Sequence, residues 1–233
     1  MIALRAEGID AFYGKSHILH GVSLEVSEGE IVTLLGRNGA GRTTTLRAIM
    51  GLIATRTGSV LIGGLETVRL APHRIARIGI GYCPEERGIF SALSAEENLM
   101  LPPLLDRGRA MPVEEIYTMF PNLRERAASP GTRLSGGEQQ MLAVARILRT
   151  GARLLLMDEI SEGLAPVIVQ KLGEVIRSLK SKGFTVVLAE QSFRFAAPLA
   201  DRFYVMEHGR IVRHFEQAQL ASQMGMLREF LGV

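Results

Sequence analysis

Eight consecutive residues, Gly36-Arg37-Asn38-Gly39-Ala40-Gly41-Arg42-Thr43, combine three glycines with a hydroxyl and two permanent cations. Glycines at this density let a backbone bend around an anion, because positive φ costs little and no side chain blocks the approach. The stretch follows an apolar run, Ile31 to Leu35, and leads into Thr44-Thr45-Leu46-Arg47-Ala48-Ile49-Met50. It therefore stands where a buried strand turns into a helix, the setting of a phosphate-binding loop, G-x-x-x-x-G-K-[ST], with Arg42 at the lysine position. The helix that follows aims free N–H groups and the positive end of its dipole at the same anion. Thr43 offers a hydroxyl to a magnesium ion on the β- and γ-phosphates. Taken alone, the stretch also reads as a glycine-rich turn that binds nothing.

Two further stretches carry chemistry. Leu154-Leu155-Leu156-Met157-Asp158-Glu159 is an apolar strand that delivers two carboxylates at its C-terminal end, where open α/β sheets place their ligands. Asp158 there suits magnesium, and Glu159 suits a water attacking the γ-phosphate. The same pair alone also reads as a solvated strand end. Leu134-Ser135-Gly136-Gly137-Glu138-Gln139-Gln140 opens a helix with a hydroxyl, two glycines and free amides, a second anion site on the same physics. Ser135 with Glu138 is also a capping box, which explains helix initiation but not the glycines.

The elements that position these groups read as an α/β chain. Residues 2 to 13 and 18 to 27 alternate as strands, broken by Gly14 and Lys15, and form an antiparallel layer beside the loop. Tyr13 ends the first of them, where its ring either stacks on a purine or simply packs. Further strands are expected at Gly58 to Gly63, at Ile78 to Cys83, at Arg153 to Met157 and at Phe184 to Ala189. A hairpin is expected around Glu207 to Arg210, and helices at Ala71 to Arg77, Pro166 to Ser181, Ser192 to Leu199 and Glu216 to Leu231. Between residues 84 and 150 helical stretches dominate, at Ala95 to Leu101, Val113 to Phe120 and from Ser135 onward. This predicts one domain, with residues 1–83 and 151–233 as an α/β core and 84–150 as an inserted helical subdomain.

With 47% hydrophobic residues in 233 and a mean hydropathy of +0.17, the chain can bury a sizeable core. A net charge of +3, with basic residues spread and no Trp, argues against nucleic acid. The lone Cys83 precludes internal disulfides and reads as a small core residue. The N-terminus lacks a signal pattern, and no apolar run reaches the roughly 20 residues of a membrane span. The five histidines lack metal-site spacing and read as surface residues.

With the phosphate loop, the Asp158-Glu159 strand end and LSGGEQQ in this order, the chain resembles the nucleotide-binding subunits of ABC transporters. The resemblance covers essentially the whole chain and implies a phosphate-loop ATPase core with an antiparallel β layer. It implies that Tyr13 stacks on adenine and that Gly36, Arg37, Asn38, Gly39, Ala40, Gly41, Arg42, Thr43 and Thr44 cradle the phosphates of ATP. Thr43, Asp158 and Glu85 would serve magnesium, and Glu159 with Gln191 the hydrolysis. Ser135, Gly136, Gly137 and Glu138 would complete the site of a second subunit facing head to tail. Glu85 to Phe90, Ser161 to Pro166 and the ending Phe230-Leu231-Gly232-Val233 look like the ATPase subunits of bacterial importers for branched-chain amino acids. Such a subunit sits peripherally on the cytoplasmic face of the inner membrane. It drives permease subunits and depends indirectly on a periplasmic solute-binding protein.

Four positions depart from the broad family pattern: Arg42 for lysine, Glu85 for glutamine, Ile160 for proline and Gln191 for the switch histidine. Glu85 and Glu190-Gln191 also occur in the branched-chain type. Arg42 and Ile160 do not, and they open an alternative: a regulatory ATP-binding subunit of weak hydrolysis beside an active paralogue. Ile89, Phe90 and Leu93 either form a groove for a permease helix or pack the lobe's own core.

Overall fold

The structure is a computed structural model that describes residues 1–231. Gly232 and Val233, part of the family-like ending, lie outside the described residues. Two long strands, β1 (Ile2–Tyr13) and β2 (Ser16–Ser27), pair antiparallel around the Gly14-Lys15 turn. β3 (Ile31–Leu35) then leads through the glycine loop into α1 (Arg42–Ile49). The expected strand at Gly58 to Gly63 is β4 (Thr55–Ile62), which begins earlier because Thr55 to Thr57 pair with Phe12, Ala11 and Asp10 on β1. Gly58 sits where that register shifts. With β5 (Leu65–Glu66) these strands make a four-stranded sheet ordered β2-β1-β4-β5.

After the short α2 (Pro72–Ala76) and β6 (Ile80–Cys83), four helices intervene before the next strand: α3 (Ala95–Met100), α4 (Val113–Met119), α5 (Pro121–Glu125) and α6 (Gly136–Arg149). α6 is their spine, touching α3, α4, α5 and β6. The α/β pattern resumes with β7 (Leu154–Asp158), α7 (Pro166–Ser181), β8 (Thr185–Glu190), α8 (Phe193–Ala196), β9 (Arg202–Glu207), β10 (Arg210–Glu216) and α9 (Leu220–Leu231). The helix expected from Ser192 to Leu199 is only four residues long, since Pro198 has no N–H with which to continue it. α9 likewise begins four residues late, after a 3₁₀ turn at Gln217–Gln219, and buries only Leu227.

The six-stranded sheet runs β10-β9-β3-β8-β7-β6, parallel except for β10. Every residue of β3, β7 and β8 is buried, which is why they read as unbroken apolar runs rather than alternating ones. One core lies between this sheet and the antiparallel layer, with Leu46 and Ile49 of α1 filling it. The other lies on the opposite face under α6, α7 and α8. Cys83 is in that second core, where burial raises its thiol to about 12, as a packing residue requires. The carboxyl ends of β3, β7 and β8 thus come together, held rigidly from both faces.

Candidate functional site

The loop after β3 closes tightly on itself. A Cβ at Gly36 would stand 2.7 Å from both the Ala40 methyl and the Met206 carbonyl oxygen, so only glycine fits there. Gly39 and Gly41 hold φ of +79° and +106°, and the Gly209 amide, in the β9–β10 turn, donates to the Ala40 carbonyl at 2.9 Å. Gly36, Ala40, Gly41, Arg42 and Thr44 are buried while Arg37, Asn38 and Gly39 face outward. Beside the loop lies a concavity of about 270 Å³, lined by Tyr13, Thr43, Thr44, Arg42 and Glu159 among others. Tyr13 is 46% exposed, which leaves its ring free to stack.

Arg42 does not project outward as an open phosphate donor. It is 3% exposed and folds back into the loop, where Nη1 donates to the Gly36 carbonyl at 2.5 Å. Nη2 donates to Asn38 Oδ1 at 3.3 Å and to Glu159 Oε1 at 2.5 Å. One planar fork thus joins the loop to the carboxylate after β7 through two separate nitrogens. Glu159 holds a φ of +48°, unusual for a residue with a side chain, and its N–H donates to the Ala189 carbonyl at 2.9 Å. Ile160 leaves that backbone free, whereas a proline there would bias residue 159 toward extended conformations. Burial is the main force raising the Glu159 carboxyl, Glu162 adds to it, and Arg42 opposes it.

Thr43 Oγ1 donates to Asp158 Oδ1 at 3.0 Å, and the Tyr82 hydroxyl donates to Asp158 Oδ2 at 3.0 Å. Burial raises the Asp158 carboxyl against both bonds. A hydroxyl and a carboxylate oxygen in contact are a hard-oxygen pair that fits magnesium. The Glu85 carboxylate gathers with those of Glu159 and Glu162, the three within 4.8 Å of one another, and its charge also bears on Asp158. Gln191 is exposed, immediately beyond the end of β8.

Ser135 caps α6 with a full capping box: the Glu138 N–H donates to Ser135 Oγ at 3.3 Å and the Ser135 N–H to Glu138 Oε2 at 2.7 Å. The amides of Gly136 and Gly137, at the first two helical positions, have no intrahelical acceptor. Gly137 also has a packing reason, since a Cβ there would lie 2.9 Å from Ile168 on α7. Ser135 to Glu138 are not among the residues lining the concavity beside the loop. Sequence reasoning missed Tyr82, which reads only as an alternating apolar position. Glu162 and the buried Glu190 stood in stretches that marked the subfamily, but sequence reasoning gave neither a place in the site.

Comparison with known proteins agrees with this geometry. The ABC transporter family pattern matches residues 19–162. The high-affinity branched-chain amino acid transport ATP-binding protein BraG of Pseudomonas aeruginosa is 42% identical over 231 residues, covering 98% of this chain and 99% of that protein. The lipopolysaccharide export system ATP-binding protein LptB of Haemophilus influenzae is 32% identical over 237 residues, covering 100% and 98%. In fold, the ADP conformation of MJ1267, an ATP-binding cassette of an ABC transporter, superposes with a TM-score of 0.82 at 22% identity, all of both chains being covered. A dimeric bacterial ABC transporter cassette, MJ0796, superposes with a TM-score of 0.82 at 26% identity, over 92% of this chain and 98% of that one. The chain belongs to the ABC transporter family and is one of its ATPase cassettes.

Proposed function

We propose that this ATPase drives an importer for a small polar solute, a branched-chain amino acid, as a peripheral subunit on the cytoplasmic face of the inner membrane. The observation that carries this is the end-to-end 42% identity to BraG, against 32% to the export protein LptB. Among the described residues no helix is long and apolar enough to cross a membrane. In this reading the solute passes through separate permease subunits, a periplasmic binding protein delivers it, and residues 84–150 act as a helical subdomain that meets the permease. The test is uptake of radiolabelled leucine by vesicles holding this chain with its permease subunits and the solute-binding protein supplied. Energised leucine uptake is the expected result, and ATP-dependent efflux or no amino-acid transport would overturn the assignment.

At the site, Gly36 to Thr44 cradle the phosphates of ATP, Tyr13 stacks on the base, and Thr43 with Asp158 hold magnesium. Magnesium neutralises charge on the phosphates when bound. Glu85 serves the same ion from beside the Glu159 and Glu162 carboxylates. Glu159 orients and deprotonates the attacking water, and Gln191 contacts the γ-phosphate side. Ser135, Gly136, Gly137 and Glu138 act on the nucleotide of a second ATP-binding subunit, a copy or a paralogue. The Arg42–Glu159 contact favours a second reading, the regulatory subunit of weak turnover, because it ties up the residue that would handle water.

The lobe's apolar residues divide by burial. Ile89 packs against the core, and a Cβ on Gly131 would stand 2.9 Å from it. The buried Asn98 pins the intervening turn through Phe90 N–H and through the carbonyls of Phe90, Leu93 and Ser94. Phe90 itself is 49% exposed on this rigid support, with Arg146 over its ring. Changing Phe90 to Ala is expected to weaken co-purification with the permease by tenfold or more, about 1.4 kcal/mol, while ATP binding holds. Equal loss of both, or of neither, would count against a permease contact here.

A further inference from the structure

Glu190 is a buried carboxylate that the proposed hydrolysis leaves unused. It ends β8 at 1% exposure, in register with Leu35 on β3, one residue beyond the Ala189 that pairs with Asp158. Both of its oxygens are engaged by a single residue: the Ser161 N–H donates to Oε1 at 3.2 Å, and the Ser161 hydroxyl donates to Oε2 at 2.8 Å. Among the described residues no cation pairs with it. Burial pushes its carboxyl up to about 7, and the two Ser161 bonds and then the Arg42 charge act against that rise. A carboxylate is costly in such a place unless it is hydrogen-bonded, so an apolar residue would be the simpler filler for a strand end. An apolar side chain, however, would strand the N–H and hydroxyl of Ser161, which is itself buried.

Ser161 lies two residues beyond Glu159, and Gln191 is the next residue after Glu190. The loop leaving β7 is therefore fastened at three successive points: the Glu159 N–H on the Ala189 carbonyl, Ile160 fully buried in the core, and Ser161 on Glu190. Past Ser161 the chain is exposed at Glu162 and Gly163. Glu190 holds this loop by its side chain while standing on the strand that carries Gln191. We infer that Glu190 is a positioning residue for hydrolysis, a brace that fixes Glu159 relative to Gln191 across the γ-phosphate side of the site. This rests on the roles proposed for Glu159 and Gln191. Without the brace, the phosphate loop and the Thr43–Asp158 contact keep their own supports, so ATP binding survives. What loosens is the placement of the carboxylate that handles water, and small misplacements of reacting groups lower the rate.

The test measures kcat and KM for ATP on the assembled transporter, and ATP affinity by equilibrium binding, for Glu190→Leu, Glu190→Gln, Ser161→Ala and the double variant Ser161→Ala/Glu190→Leu. Glu190→Leu is expected to lower kcat about tenfold, and Ser161→Ala several-fold, with ATP affinity within about twofold of the parent. The double variant should be no slower than Glu190→Leu alone, because both changes remove one interaction. Glu190→Gln should recover most of the rate: its carbonyl can accept the Ser161 N–H, and its amide can donate to the Ser161 oxygen. A filler role alone would predict that Leu is tolerated and that Gln is no better. Full turnover in Ser161→Ala, equal loss of rate and affinity, or independent multiplication of the two single effects would overturn the brace. Ser161→Ala decides between brace and filler if Glu190→Leu does not fold. Glu159→Gln in the same assay separates the two levels: turnover undiminished there would remove the site assignment itself, whatever Glu190 does.

Discussion

Replacing Glu159 with Gln is expected to lower steady-state ATP turnover about a hundred- to a thousandfold and to leave ATP binding nearly intact. The change keeps volume and an oxygen for Arg42 but removes the basic oxygen that, in the proposed role, receives the proton of the attacking water, a loss of that order in general-base sites. Binding draws instead on the loop amides, the α1 dipole and the Thr43–Asp158 pair, none of which contains Glu159. The trapped ATP state should also dimerise. Two copies facing head to tail would bury the phosphates between the N-terminus of α1 in one and that of α6 in the other, and both ends carry positive dipoles. Light scattering at saturating ATP and magnesium should therefore show a dimer of the Glu159→Gln protein and a monomer without nucleotide. If only monomer appears, the homodimer fails and pairing with a paralogue becomes the better description. If turnover persists, Glu159 is not the residue that handles water.

How far the site could be read from sequence depended on whether local chain order carried the contact. The phosphate loop, the strand end at Asp158-Glu159 and the α6 capping box are each written in consecutive residues, so their backbone settings were legible. The parallel sheet was legible for the same reason, since burial on both faces leaves unbroken apolar runs in β3, β7 and β8. Contacts between residues far apart were not. Arg42 and Glu159 are 117 residues apart, Tyr82 and Asp158 76, Ser161 and Glu190 29. Nothing local marks any of these pairs, because each is made by strand order rather than by spacing. Glu85 shows the same limit: a family position suggested its ligand role, but its gathering with Glu159 and Glu162 is visible only in the fold. Gly137 shows how a motif residue can serve packing as well, since Ile168 lies too close for any side chain there.

Arg42 is where the sequence raised a question and the structure sharpened it. In sequence, the guanidinium reads as a bulkier substitute for a phosphate-binding ammonium. In the fold it spans from the Gly36 carbonyl to Glu159, so under the proposed roles it would oppose hydrolysis twice: it lies buried in the loop, and it holds Glu159 by a buried ion pair. Nucleotide must draw Arg42 off Glu159 before both can act, and a charge paired at 2.5 Å inside the protein is not released easily. Lysine at 42 keeps one positive charge but carries its three donors on a single nitrogen, without the planar fork that reaches the Gly36 carbonyl and Glu159 from separate nitrogens. Ground-state ATP binding shares its load with the amides and magnesium, whereas charge developing at the γ-phosphate depends on a well-placed donor and a free Glu159. A misplaced donor of this kind costs up to roughly 3 kcal/mol, about a hundredfold in rate. Arg42→Lys is accordingly expected to raise kcat at least several-fold in the assembled transporter, with a much smaller change in ATP affinity. Should the lysine protein turn over no faster, the site is built around arginine, and the Arg42–Glu159 bridge is a support of the active arrangement rather than a restraint on it.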